Sequence, residues 1–329
     1  MKCLCRVLVL LLPVLVMPAA MAWGQAAAAG LPAVAYAAGG VLYLATETGR
    51  VVQTVATELP IGDFAISPDL KTVVFSLPHP GESGGPFFIL NVSTGEIERM
   101  RPDPYFNDAS VSDLAEFYAD PDFSPGGERV VFATHASAEG SDVQMSGPLA
   151  ILDLKTREIT ILRSTVGADG LPLGYLRDPR WSPDGKQVLG NIEGHAFITD
   201  PDGRRLAEVV IPESEVSRSS QAYGMHAIGW LGSGCVLYQA GDDPERDPAR
   251  IFGLSMGRTS PAAELLRLPE QSLRGVRGFA RRLWARADPA GIRIEGPGVS
   301  WLVRGDVETT YVRLLPSRSS GDVIPADCR

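Results

Sequence analysis

Lysine is scarce in this chain. Only Lys2, Lys71, Lys155 and Lys186 stand among its 30 basic residues, against 39 Asp and Glu. The net charge is −9 at pH 7 and the pI near 5.1, so no basic face offers itself to phosphate backbones, and nucleic acid is not an expected partner. Histidine and cysteine number four each, and the cysteines form no paired-cysteine metal motif. A phosphate loop and a dinucleotide fingerprint are also missing, which leaves no nucleotide or redox cofactor to expect. Gly81–Gly85 and Gly253–Gly257 fit G-x-S-x-G, but one lies in a loop and the other inside a hairpin, and neither reads as a strand-to-helix elbow. No catalytic residue is assigned.

What is present begins with a leader. Lys2 and Arg6 precede the apolar run Val7–Val16, and Ala20-Met21-Ala22 fits a small-x-small cleavage site before Trp23. Residues 1–22 therefore read as a signal peptide cleaved after Ala22, with an uncleaved anchor as the alternative. Cleavage leaves no stable membrane span and implies a periplasmic or secreted protein. It removes two cations and no anions, so the exported chain is still more acidic. Cys235 and Cys328 then remain in a compartment that permits disulfides, either paired with each other or as separate thiols.

A repeat organises the rest. Ile66-Ser67-Pro68-Asp69 before Val73-Val74-Phe75, Phe123-Ser124-Pro125-Gly126-Gly127 before Val130-Val131-Phe132, and Trp181-Ser182-Pro183-Asp184-Gly185 before Val188-Leu189 share one pattern. Each is an apolar strand, a tight turn and a second apolar strand, in which Pro pre-sets one φ and Gly tolerates positive φ. Weaker copies start at Trp230 and Phe279, so the leading residues step by 57, 58, 49 and 49. A more alternating hairpin follows each copy: Phe87–Met100, Leu149–Leu162, His195–Val210, Ile251–Leu268 and Val299–Leu315. Inner plus outer hairpin makes a four-stranded blade. Gly40–Val55 reads as a further outer hairpin without an inner one. The expected fold is an all-β propeller of six four-stranded blades with an incomplete first blade, five blades being the alternative. It spans 34–315 after a linker at 23–33, and the tail 316–329 is a candidate closing strand. Trp181, Trp230 and Phe279 share the leading repeat position, which assigns them to the core rather than to sugar stacking.

The Ser-Pro-Asp-Gly turn, the apolar triplet after it and the outer turn Asp153-Leu154-Lys155-Thr156 resemble the TolB-like β-propeller repeat family. The resemblance covers about residues 34–315, through three good motifs and two poor ones, and lacks the separate N-terminal α/β domain of TolB itself. It implies a periplasmic or extracellular binding platform, in a family some of whose members carry enzymatic domains beside the propeller.

Propeller topology also sorts the loops. With strands A to D running outward from the axis, A–B and C–D turns lie on one face, and B–C and D–A connections on the other. The first kind is short here and the second long: Arg101–Ala119, Arg163–Asp178, Ile211–Met225, Leu77–Gly85, His135–Ser146 and Gly241–Arg250. The long-loop face is the expected binding face. Its candidate residues are Tyr118, Asp120, Asp122, His135, Asp178 and His226, with the acidic loop that holds Asp242, Asp243 and Asp247. His79 and Tyr223 lie on the same face. No cofactor is expected; calcium is the ion such carboxylates would suit, although no spacing matches a calcium loop. Zinc held by His79, His135 and His226 is the weaker alternative. The expected function is that of an exported, monomeric, non-enzymatic platform for a protein or peptide. A hydrolase or lyase acting on extracellular polymers at the axial opening is the rival.

Overall fold

The protein is described by a computed structural model. It describes residues 32–38, 40–78, 86–100, 114–138, 144–166, 174, 176–192, 195–209, 225–230, 232, 234–240, 250–255, 263–267, 279–280, 283–288, 290–296, 298–304 and 311–315.

These residues form six four-stranded antiparallel sheets. Sheet I contains β1 (Val34–Ala38), β2 (Val41–Ala45) and β3 (Val51–Ala56), completed by β24 (Tyr311–Leu314). Sheet II is β4 (Phe64–Ile66), β5 (Thr72–Ser76), β6 (Phe87–Asn91) and β7 (Ile97–Arg99). Sheet III is β8 (Leu114–Phe123), β9 (Arg129–Ala138), β10 (Gln144–Asp153) and β11 (Ile159–Ile161). Sheet IV is β12 (Leu176–Trp181), β13 (Val188–Ile192), β14 (His195–Thr199) and β15 (Arg205–Val209). Sheet V runs through β16 (Met225–Trp230), β17 (Cys235–Ala240), β18 (Arg250–Ser255) and β19 (Ala263–Arg267). Sheet VI is β20 (Phe279–Ala280), β21 (Leu283–Asp288), β22 (Gly291–Gly296) and β23 (Val299–Arg304). Among the described residues no helix is long and apolar enough to cross a membrane.

The second strands explain why the sheets stack around an axis. In β5, the consecutive residues Val73, Val74 and Phe75 are all fully buried, so both faces of the sheet are covered. Val73 and Phe75 pack with Ala35, Leu42 and Leu44 of sheet I, whereas Val74 packs with Val130, Phe132 and Ala150 of sheet III. The same alternation recurs in β9, where Val130 and Phe132 turn to sheet II and Val131 and Ala133 to sheet IV. In β13, Val188 joins the core shared with sheet III and Leu189 the core shared with sheet V. Sheet I packs against sheet VI through Val34 and Val312 with Leu283, Ile292 and Ile294. Sheets I to IV are thus each a layer between two cores, and the fold is a β-propeller.

The repeat turns close as their chemistry requires. Leu70, Gly127 and Gly185 donate their N–H to the carbonyls of Ser67, Ser124 and Ser182 at 2.8, 2.8 and 2.9 Å. All three have positive φ (64°, 76° and 72°), which the two glycines adopt freely and Leu70 does not. The serine hydroxyls accept from Thr72, Arg129 and Gln187 N–H at 2.9, 3.1 and 2.9 Å, sealing the strand ends.

The structure revises several expectations. Val299–Leu315 is not one hairpin: β23 pairs with β22, and β24 leaves to pair with β1. Sheet I thereby gains the inner strand that Gly40–Val55 lacked. That strand is Tyr311–Leu314, and the tail from 316 lies outside the described residues. His135–Ser146 is not a long loop either, because β9 and β10 run to ten residues each and pair His135 with Ser146. Cys235, at the repeat position that Thr72, Arg129 and Gln187 hold in other copies, is fully buried. It is disulfide-bonded to a cysteine outside the described residues.

Candidate functional site

The first strands of the sheets converge: β4 lies against β8, β8 against β12, β12 against β16, and β24 against β4. Where these strands begin, on the face of the D–A connections, a chain of carboxylates links sheet to sheet. Asp63, Asp120 and Asp178 each stand three residues before the leading residue of their repeat, Ile66, Phe123 and Trp181. Asp120 N–H donates to Asp63 Oδ2 at 2.7 Å, and Asp178 N–H donates to Asp120 Oδ2 at 3.0 Å. A second bond joins sheets III and IV, from Trp181 N–H to Asp122 Oδ2 at 2.8 Å.

Local geometry makes this reach possible. The register of β8 against β9 shifts between Ala119 and Asp122, and that of β12 against β13 between Arg177 and Arg180. Within these bulges Asp120 and Asp178 have φ of 55° and 48°, a conformation Asp tolerates better than most residues with a Cβ. In the next copy the equivalent position is Ala227, which has no carboxylate. Its N–H and C=O are instead bound by the amide of Asn191 from β13, both at 2.9 Å. The joint survives with a neutral group.

The chain is closed by a cation from the other end of the sequence. Arg313 in β24 donates from Nη2 to Asp63 Oδ1 at 2.9 Å and from Nε to the Phe64 carbonyl at 2.6 Å. Arg180 Nη2 lies 3.6 Å from Asp178 Oδ1. Among the described residues, four carboxylates therefore share the axial space with two guanidiniums. Asp63 and Asp178 keep 21% and 22% side-chain exposure, and Arg180 and Arg313 17% each, so the cluster remains reachable. Burial, then the charges of Asp178 and Asp63, push Asp120 up to about 7, against the pull of Arg180 and the Asp178 N–H. Burial also raises Asp122, opposed by Arg180, the Trp181 N–H and Arg313. For Arg313 the four carboxylates outweigh burial and raise its pKa.

Of the residues singled out from sequence, Asp120, Asp122 and Asp178 come together here. Tyr118 does not face the site: it is 2% exposed, with its ring 5.3 Å from both Phe87 and Phe132 in the core between sheets II and III. His135 lies within β9 and His226 within β16, opposite Gln239. Asp242, Asp243, Asp247, His79, Tyr223 and Cys328 lie outside the described residues. Among the described residues no three His, Cys, Asp or Glu side chains are placed to hold a metal ion. Trp181 is a core residue, with the Arg129 guanidinium 4.7 Å over its ring.

Sequence reasoning missed Asp63, Arg180, Asn191 and Arg313. Asp63 had a signal, because it repeats the Asp120 and Asp178 position at the spacing of the repeat itself. Arg313 had none, since its strand belongs to a sheet begun almost three hundred residues earlier.

No protein-family model matches the sequence, nor does any curated protein sequence. Solved structures of similar shape include one described as TolB from Agrobacterium tumefaciens, at 18% identity over 72% of this chain and 77% of the other, with a TM-score of 0.49. Another is the β-propeller domain of Cps50 (Swd1) from Myceliophthora thermophila, at 14% identity, 78% and 75% coverage and a TM-score of 0.48. A third is oligogalacturonate lyase from Vibrio parahaemolyticus, at 12% identity, 88% and 74% coverage and a TM-score of 0.47. At this distance neither activity nor residue roles transfer to this chain.

Proposed function

We propose that the chain is an exported β-propeller acting as a monomeric, non-enzymatic binding platform, whose protein or peptide partner docks on the face where the first strands begin. The observation that carries this reading is the axial cluster. Among the described residues, Asp63, Asp120, Asp122 and Asp178 outnumber Arg180 and Arg313, and Asp63 and Asp178 stay part-exposed. A lysine or arginine side chain from the partner complements that excess. The leader at residues 1–22 supports export. The test is capture from an envelope extract of the source organism, followed by binding of the purified captured protein to the chain and to Asp63→Asn/Asp178→Asn. Asparagine keeps the acceptor for the Asp120 N–H and removes the charge. Weakened binding by a folded variant supports the placement, and unchanged affinity overturns it.

The rival enzymatic reading draws on Asp120, because a carboxyl pushed up to about 7 suits general acid–base chemistry at neutral pH. Hydrolysis or lysis of an extracellular polysaccharide or peptide polymer that Asp120→Asn abolishes would favour it. The perturbation has a sufficient structural cause, since Asp120 stands between two other carboxylates in the joint.

A further inference from the structure

Two of the four axial carboxylates pair directly with a guanidinium, and the other two are bound by backbone N–H groups. Arg313 holds Asp63 at 2.9 Å and Arg180 lies 3.6 Å from Asp178. Asp122 accepts the N–H of Trp181, and Asp120 accepts the N–H of Asp178 while giving its own N–H to Asp63. Among the described residues, the charged groups acting on Asp120 are Asp63 beside β4, Asp178 and Arg180 on β12, and Arg313 on β24. Four carboxylates against two guanidiniums among the described residues leave an excess of two negative charges in a space only partly open to water. Holding one proton there costs less than desolvating both charges. The bond from Asp178 N–H uses Asp120 Oδ2, so a proton on Asp120 Oδ1 leaves every inter-sheet bond in place.

We propose that this cluster is a proton-operated joint: a proton centred on Asp120 keeps the inner ends of sheets II, III and IV locked together, and its loss drives their carboxylates apart. The joint between sheets IV and V is a built-in neutral control, because Asn191 replaces the carboxylate there. The linkage sign is fixed by the direction of the shift. Asp120 is raised from 3.8 to about 7, so the folded chain holds a proton that the unfolded chain releases between those values. Stability is highest at the acid end of that window, declines as pH rises through it, and stops declining above about 7. This inference concerns the joint alone and stands without any partner.

The test is urea unfolding of the purified chain and of Asp120→Asn at pH 5, 6, 7 and 8. The unfolding constant of the wild type, relative to that of the variant, rises by up to about tenfold per pH unit from 5 to 7 and then levels. Equal pH dependence of the two proteins overturns the proposal. Should Asp120→Asn fail to fold, carboxyl carbon NMR of the wild type decides. One Asp titrating near neutrality, with responses at Asp63 and Asp178, supports the joint, whereas every Asp titrating below pH 5 overturns it.

Discussion

Arg313→Met cuts the bond by which the C-terminal strand closes the axial chain. The arginine is 17% exposed and makes two charge-assisted hydrogen bonds, to Asp63 Oδ1 at 2.9 Å and to the Phe64 carbonyl at 2.6 Å. Hydrogen bonds to charged groups contribute about 1.5–3 kcal/mol each, and breaking a buried pair by removing one partner costs about 3–5 kcal/mol. Methionine keeps much of the aliphatic packing, and part-exposure of Asp63 lets water recover some of the loss, so the expected cost is about 2–4 kcal/mol. Asp63→Asn keeps an acceptor for the Asp120 N–H and removes the charge that Arg313 answers. The double variant should therefore be less destabilised than the sum of the singles, by about 1.5–3 kcal/mol. Urea unfolding of the wild type, the two singles and the double measures this directly. Arg313→Met within about 0.5 kcal/mol of the wild type, or additive singles, would refute the closing role given to this residue.

Asn191→Ala strands the N–H and C=O of Ala227 at a position where Asn191 itself is 1% exposed, and should cost about 2–4 kcal/mol in the same unfolding assay. Asn191→Asp, which can accept but not donate when ionised, should fall at least as far at neutral pH. Tyr118→Ala should cost about 3–5 kcal/mol, because it empties a site between Phe87 and Phe132; a stable variant that loses only partner affinity would return Tyr118 to the binding face. Non-reducing peptide mapping of the purified chain should recover Cys235 joined to Cys328, its expected partner once residues 1–22 are removed. Two free thiols would contradict the bonded Cys235.

Much of the architecture is legible in the chain because its signals are local. Ser-Pro-Asp-Gly turns form within five residues, and runs such as Val73-Val74-Phe75 announce strands covered on both faces. What escaped depends on distance along the chain. The hydrogen bond from Asp120 to Asp63 spans 57 residues and that from Arg313 to Asp63 spans 250, so neither leaves a local pattern. The closing strand was hidden because Val299–Leu315 alternates as a hairpin should, and only the unpaired inner edge of sheet I draws residues 311–314 away. His135 looked like loop because the Ala-Ser-Ala stretch after it carries no strong strand preference, yet pairing on both sides extends β9 through it. Cys235 occupies a position that is polar in other copies, yet it is buried and disulfide-bonded, which no repeat comparison reveals.

The docking face is tested most directly by amide hydrogen exchange of the chain with and without its purified partner. Protection should appear at the starts of β4, β8 and β12, around Asp63, Asp120 and Asp178. The opposite turns at Ser67–Thr72, Ser124–Arg129 and Ser182–Gln187 should not change. Protection confined to those turns would contradict the account.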